Sequence, residues 1–171
     1  MYMEYIISQL TISQVSTFYP LFYEILNSEF PGYTPTVLNY LLNKIYTQTN
    51  FYYWVEQNQK TILVASCNNE FVGFAVIDNP YGGVSLLRWL GVAKEHQRKG
   101  IGKKFITTWQ EIATKQGAHK IEVAAQPEAK EFYAKVGLTL EGKRARSYFG
   151  INQYIYGKVI GDPNDRVMTA Y

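Results

Sequence analysis

The sequence predicts an α/β (α+β) fold, a single mixed, mostly antiparallel sheet of six to seven strands flanked by about four helices. Three observations predict it. Apolar residues recur with helical spacing, then in runs of strand length, then with helical spacing again. The first strand-like runs are separated by short turns rich in Asn and Gly, which suit hairpins. The chain has 171 residues, 47% hydrophobic and 18% charged, enough to bury one substantial core. It shows no repeat, linker or low-complexity segment. One domain is therefore expected over residues 1–160, followed by a loosely held tail at 161–171.

Each element follows from its own residues. Tyr5–Leu10 alternates and reads as a first strand, and Thr11 or Ser13 can cap a helix after it. Val15, Phe18, Leu21, Phe22, Ile25 and Leu26 then share one helix face. Phe30–Pro35, with two prolines and a glycine, ends that helix. Thr36–Tyr46 repeats the pattern through Val37, Leu38, Leu41, Leu42 and Ile45. The aromatic cluster in Phe51–Gln59 fits strand, helix end or loop, and its Tyr52–Trp54 stretch either walls an acceptor pocket or packs on the sheet. Ile62–Ser66 and Phe71–Ile77, joined through Asn68-Asn69-Glu70, predict a hairpin. Asp78–Gly83 reads as a second turn and Val84–Val92 as a third strand. From Gly100 to Gln116, Ile101, Phe105, Ile106, Trp109, Ile112 and Ala113 form one helical face, and Gly117 stops it. Lys120–Ala125 is a strand. Pro127–Val136 is a helix, opened by a proline that the first turn tolerates and closed by Gly137. Leu138–Leu140 and Tyr154–Ile160 are the last two strands.

Composition narrows the function. A net charge of +3 and a pI near 8.8 are too modest to point to nucleic acid. Cys67 is the single cysteine, so neither an intramolecular disulfide nor a cysteine metal site can form, and it reads as a small buried thiol. His96 and His119 lack metal-ligand spacing, and no metal is expected. Met1–Leu10 lacks the basic and apolar pattern of a signal peptide. No apolar stretch reaches the roughly 18 residues of a membrane span. The expectation is a cytoplasmic protein, monomer or homodimer, without membrane or nucleic-acid partners.

The informative segment runs from Leu90 to Lys103. A strand ends in Leu90-Gly91-Val92, a polar loop comes next, and a helix opens at Gly100-Ile101-Gly102. The first N–H groups of a helix have no internal partner and carry the positive end of its dipole. An anion belongs there, and a phosphate suits it best. The two glycines let backbone approach the ligand closely, and Arg98, Lys99 and Lys103 add charge. The dinucleotide fingerprint G-x-G-x-x-G fails at Phe105. The P-loop fails because Gly100 and Gly102 stand too close together.

Gln97-Arg98-Lys99-Gly100-Ile101-Gly102 has instead the form Q/R-x-x-G-x-G/A. It resembles the acyl-CoA pyrophosphate loop of the GCN5-related N-acetyltransferase (GNAT) family. Downstream, Gln126–Leu138 resembles that family's N-x-x-A-x-x-F-Y-x-x-x-G-F segment, with Gln126 for Asn and Leu138 for Phe. The resemblance covers about Phe71–Leu140. It implies acetyl-CoA as co-substrate and an amine acceptor, either peptide or small molecule. It implies that backbone groups at Leu90, Gly91 and Val92 meet the pantetheine arm and the thioester carbonyl. Gln97, Arg98, Lys99, Gly100, Ile101, Gly102 and Lys103 would hold the pyrophosphate, with Gln126 and Ala129 also on the cofactor. Tyr133 would protonate the leaving thiolate as general acid, from a pKa near 10. In this reading Phe132 packs in the core and Tyr133 faces outward.

The chain also lacks a carboxylate that some family members use: Val84–Val92 carries no Asp or Glu that could deprotonate the amine. Ser85, a water chain, Glu24 or Glu29 are the alternatives. Adjacent on one strand, Arg88 and Trp89 face opposite ways, so one of them either lines the acceptor side or both are structural. Lys143, Arg144 and Arg146, followed by Tyr148-Phe149, resemble the ribosomal-protein N-terminal acetyltransferase branch, in which Tyr148 would contact the acceptor. The other reading is a solvated basic hairpin. A non-catalytic acyl-CoA sensor or scaffold is the alternative to an enzyme.

Overall fold

The structure, a computed structural model, describes residues 4–170. Its seven strands form one open mixed sheet in the order β1-β2-β3-β4-β5-β7-β6. They are β1 (Ile6–Gln9), β2 (Lys60–Cys67), β3 (Glu70–Tyr81), β4 (Val84–Val92), β5 (Lys120–Ala125), β6 (Thr139–Arg144) and β7 (Gln153–Val159). The helices are α1 (Val15–Glu29), α2 (Pro35–Tyr40), α3 (Gln48–Glu56), α4 (Ile101–Lys115), α5 (Lys130–Lys135) and α6 (Asp165–Met168).

The sheet is mostly antiparallel for local reasons. Asn68-Asn69 and Gly82-Gly83 are two-residue connections, and all four residues have positive φ (50, 66, 56 and 81°). Two such residues form the tight turn whose twist matches antiparallel strands. β1 pairs antiparallel with β2, and β7 pairs antiparallel with both β5 and β6. β4 and β5 are parallel, and α4 supplies the crossover that a parallel pair requires.

The chain divides into two compact units. The first comprises the residues up to Val76 with Trp89–Phe105, and the second Ile77–Arg88 with Ile106 onward. In the first unit, Phe18, Phe22, Leu26, Phe51, Leu42, Ile62 and Phe74 form the centre of the core. Phe22 lies 4.8 Å from Phe51 and 4.9 Å from Phe74 between ring centroids, in tilted and edge-on contacts that favour aromatic pairs. The ambiguous aromatic segment is helical. Thr47 Oγ1 accepts from Asn50 N (3.1 Å) and starts α3, which turns Phe51 inward. Before it, Leu41–Ile45 forms a π-helical turn closed by Tyr46 N donating to Leu41 O (2.7 Å).

In the second unit, α4 packs Trp109 and Ala113 inward, with Ile121, Val123 and Ala125 of β5 also buried. Trp109 Nε1 donates to Ser85 Oγ (2.9 Å), and Ser85 Oγ donates to the carbonyl of Asp78 (3.3 Å).

Several boundaries differ from the sequence reading. β3 runs on to Tyr81, because Gly82-Gly83 supplies the two positive φ angles that Pro80, locked near −65°, cannot. Pro127–Val136 is a 3-10 turn (Pro127–Ala129) followed by the shorter α5. β6 extends to Arg144 through a bulge between Leu140 and Gly142. Within 161–171, Asp165–Met168 forms α6. Asn164 Oδ1 accepts from Arg166 N (3.0 Å) and caps α6. Val167 of α6 lies so close over Gly117 that an added Cβ would meet it at 2.7 Å.

Candidate active site

The predicted site residues fall in both units, Leu90–Lys103 in the first and Gln126, Ala129 and Tyr133 in the second. Each group is described from its own surroundings.

β4 alternates strictly. Trp89 and Gly91 are buried, while Leu90 and Val92 are half-buried. Its ladder with β5 runs from Val84↔Lys120 to Leu87↔Val123, whereas β4 itself continues to Val92. Gly91 is a glycine for packing reasons: a Cβ there would lie 2.6 Å from Ile25 Cγ2 and 2.8 Å from Phe74 Cζ. α1 therefore presses directly on the strand at Gly91.

Beyond Val92 the chain is held from several sides. Ala93 N donates to Val72 O (2.9 Å). Gln97 Nε2 donates to Val92 O (3.0 Å) and to Glu29 Oε2 (2.7 Å), linking the end of β4 to the last residue of α1. Tyr5 Oη and His96 Nδ1 lie 3.1 Å apart, and Lys104 Nζ donates to Tyr5 O (2.9 Å). The turn into α4 has left-handed φ at Arg98 (57°) and Gly100 (82°). Lys104 N donates to Gly100 O (3.1 Å), the first helical bond, so Ile101 N–H and Gly102 N–H precede any acceptor within the helix. A Cβ at Gly100 would meet nothing within 4 Å, so the backbone there is open on its side-chain face. Arg98, Lys99 and Lys103 are exposed. Open backbone, helix-start donors and three cations form a cradle suited to a phosphate.

Gln126 opens the 3-10 turn, and Ala129 N donates to its carbonyl (3.0 Å). Phe132 and Tyr133 exchange the places expected of them. Tyr133 is buried at 5% exposure and Phe132 is half-buried. The reason is that α5 is one short helix on β7, and its inward position goes to Tyr133, whose ring lies 6.1 Å from that of Tyr156. Burial pushes the Tyr133 hydroxyl well above its ordinary value, correcting the expectation of an unshifted tyrosine.

The remaining candidates divide clearly. Ser85 is fully buried and bonded on both sides, so it is a structural link and no base. Glu24 is exposed. Glu29 reaches the loop, a placement no local pattern could reveal because 68 residues separate it from Gln97. Arg88 pairs with Asp78 at the surface. Trp89 contacts the rings of Phe30, Tyr33 and Tyr46. Tyr148 is 73% exposed, and Tyr154 has Lys130 Nζ and Lys143 Nζ at 5.4 and 5.5 Å from its ring. Among the described residues, no three His, Cys, Asp or Glu are grouped to hold a metal, and no helix is long and apolar enough to cross a membrane.

Comparison with known proteins bears on the fold and the family. The fold is that of PaiA N-acetyltransferase from Thermoplasma acidophilum, solved with coenzyme A (TM-score 0.79, 19% identity, 92% of this chain and 99% of that one). It is also that of the Salmonella typhimurium protein yncA, solved with its cofactor acetyl-CoA (TM-score 0.74, 15% identity, 94% and 98%). Ribosomal-protein-S5-alanine acetyltransferase from Vibrio fischeri is similar too (TM-score 0.73, 16% identity, 96% and 97%). No curated protein sequence matches the chain significantly. The model of the Acetyltransferase (GNAT) family matches residues 19–138, more than half of the chain, from within α1 through the glycine turn and past α5. The chain belongs to the GNAT acetyltransferase family.

Proposed function

We propose that this protein is a cytoplasmic N-acetyltransferase that moves the acetyl group of acetyl-CoA to a primary amine, by direct attack in a ternary complex. The acceptor is a protein N-terminus, a lysine or a small amine. The observation that carries the reading is the run of β4 past its last β5 partner, followed by the left-handed turn at Gly100 that opens α4. The N–H groups across Gln97–Gly102 bind the pyrophosphate, and Arg98, Lys99 and Lys103 add charge. Gln126 and Ala129 support the cofactor from the α5 side. Backbone at Leu90, Gly91 and Val92 receives the pantetheine arm, and a backbone N–H there stabilises the oxyanion formed when the amine adds to the carbonyl.

Two proton transfers complete the reaction. As the C–N bond forms and the C–S bond breaks, Tyr133 gives its proton to the departing thiolate and later regains one from solvent. Burial raises the Tyr133 hydroxyl, so it carries its proton at neutral pH and has one to give. Glu29, placed by Gln97, takes the amine proton through water. No covalent enzyme intermediate is needed, in keeping with Cys67 buried on β2.

The test is calorimetric titration of acetyl-CoA into the wild type and Gly100→Glu, followed by thiol release against amines and peptides. Binding lost in the variant supports the phosphate cradle, and release with one acceptor identifies the substrate class. Tight binding with no turnover on any acceptor supports the sensor reading instead. Absence of acyl-CoA binding overturns the proposal.

A further inference from the structure

The chain buries two indoles deeply and treats them differently. Trp109 Nε1 is bonded to Ser85 Oγ at 2.9 Å. Trp89 is similarly removed from solvent, at 7% exposure, but its Nε1 has no hydrogen-bond partner among the described residues. An orphaned buried donor costs as much as a lost hydrogen bond, and such a group in a native fold calls for a reason. Its setting suggests one. Three rings surround it, Phe30 at 5.1 Å, Tyr33 at 5.7 Å and Tyr46 at 5.5 Å between centroids. All three are only half-buried, so the cluster is an aromatic surface partly open to solvent around the buried indole. Trp89 also immediately precedes Leu90, whose backbone meets the thioester in the proposed reaction. All four rings lie in the same compact unit.

We propose that this aromatic cluster is the acceptor subsite, and that it selects a primary amine with a flat apolar body and a carbonyl or hydroxyl oxygen that accepts from Trp89 Nε1. The proposal rests on the acetyltransferase reading and names the substrate class within it. Aromatic walls bind flat apolar groups through offset and edge-on contacts. An indole N–H is a donor only, so it selects for an acceptor oxygen. A polyamine offers neither an aromatic body nor an oxygen. Sites that contain an unpaired polar group discriminate strongly against ligands that leave it unpaired.

The experiment uses the full chain labelled with ¹⁵N at its indoles, titrated with L-phenylalanine amide, Phe-Gly-Gly, phenethylamine and spermidine in the presence of coenzyme A. Trp89→Phe assigns the resonance and removes the donor while keeping a ring. The expected result is a shift of the Trp89 N–H signal with the two oxygen-bearing ligands. Phenethylamine should bind about tenfold more weakly, as expected for one hydrogen bond. Trp89→Phe should remove that tenfold preference. A stronger response to Phe-Gly-Gly assigns the oxygen to a peptide N-terminus, and a stronger response to the amide assigns it to a free amine. An unmoved Trp89 signal with all four ligands, or a preference unchanged in Trp89→Phe, overturns the proposal. Thiol release from acetyl-CoA is read separately. A shifted signal without release would retain the subsite and count against the acetyltransferase reading.

Discussion

Replacing Gly91 with alanine should destabilise the protein through packing alone. The new Cβ would lie 2.6 Å from Ile25 Cγ2, 2.8 Å from Phe74 Cζ and 3.1 Å from Phe74 Cε1. Carbon atoms prefer about 3.5–4.0 Å, so Ile25 must retreat by about 1 Å. Neither neighbour has room. Ile25 is 2% exposed and Phe74 is fully buried, with the rings of Phe18 and Phe22 at 5.9 and 4.9 Å. Overpacking of this kind costs about 1–3 kcal/mol, which for a chain of this length lowers Tm by about 2–4 °C per kcal/mol. Thermal denaturation followed by circular dichroism should therefore show a drop of about 2–12 °C. In an Ile25→Ala background the added methyl enters vacated space, and the cost of Gly91→Ala should fall by at least about half, a coupling expected between touching residues. An unchanged Tm for Gly91→Ala, or the same drop in both backgrounds, would refute the argument that helix pressure on β4 requires glycine.

Three further outcomes are expected. Ser85→Ala leaves Trp109 Nε1 buried without an acceptor and should cost about 1–3 kcal/mol. Adding Trp109→Phe should recover the donor's share of that loss in urea unfolding, and no recovery would count against the hydrogen bond. Lys120 Nζ reaches over Gly157 of β7 to Glu141 Oε2 at 2.6 Å, and an alanine Cβ at 157 would press on both side chains at 2.6 and 2.8 Å. Because the pair is partly exposed, Gly157→Ala should cost less than about 1 kcal/mol and the difference should shrink in about 1 M salt; a loss independent of salt would contradict this. Tyr133 binds its proton more tightly folded than unfolded, so its contribution is complete below about pH 10 and declines as pH rises further. Tyr19, raised by burial, and Lys120, raised by its bond to Glu141, decline in the same direction. The alkaline fall in Tm should be shallower in Tyr133→Phe than in the wild type, and parallel curves would show that Tyr133 does not titrate differently on folding.

Much of the molecule is legible in local pattern. The period of apolar residues marks α1, α4 and β5, because one face of each must be buried. The glycine turn before α4 is legible because a positive φ just ahead of a helix start calls for glycine. The boundaries that local pattern misplaced lie where turn chemistry competes, as at Pro80 against Gly82-Gly83. The tail's α6 was missed because its anchors, Gly117 and Gly83, are distant in the chain.

Tertiary structure decided what depends on two distant residues meeting. Phe132 and Tyr133 are neighbours whose sequence allows either one inside, and only the packing of α5 on β7 selects Tyr133. Ser85 carries a hydroxyl that reads as a possible base until Trp109 occupies it. Glu29, Gln97 and Val92 form one hydrogen-bonded chain across 68 residues of sequence. A backbone motif is specified by the residues that make it, so it can be read in order. A side chain's role is set by burial and partners, and those exist only once the chain has folded.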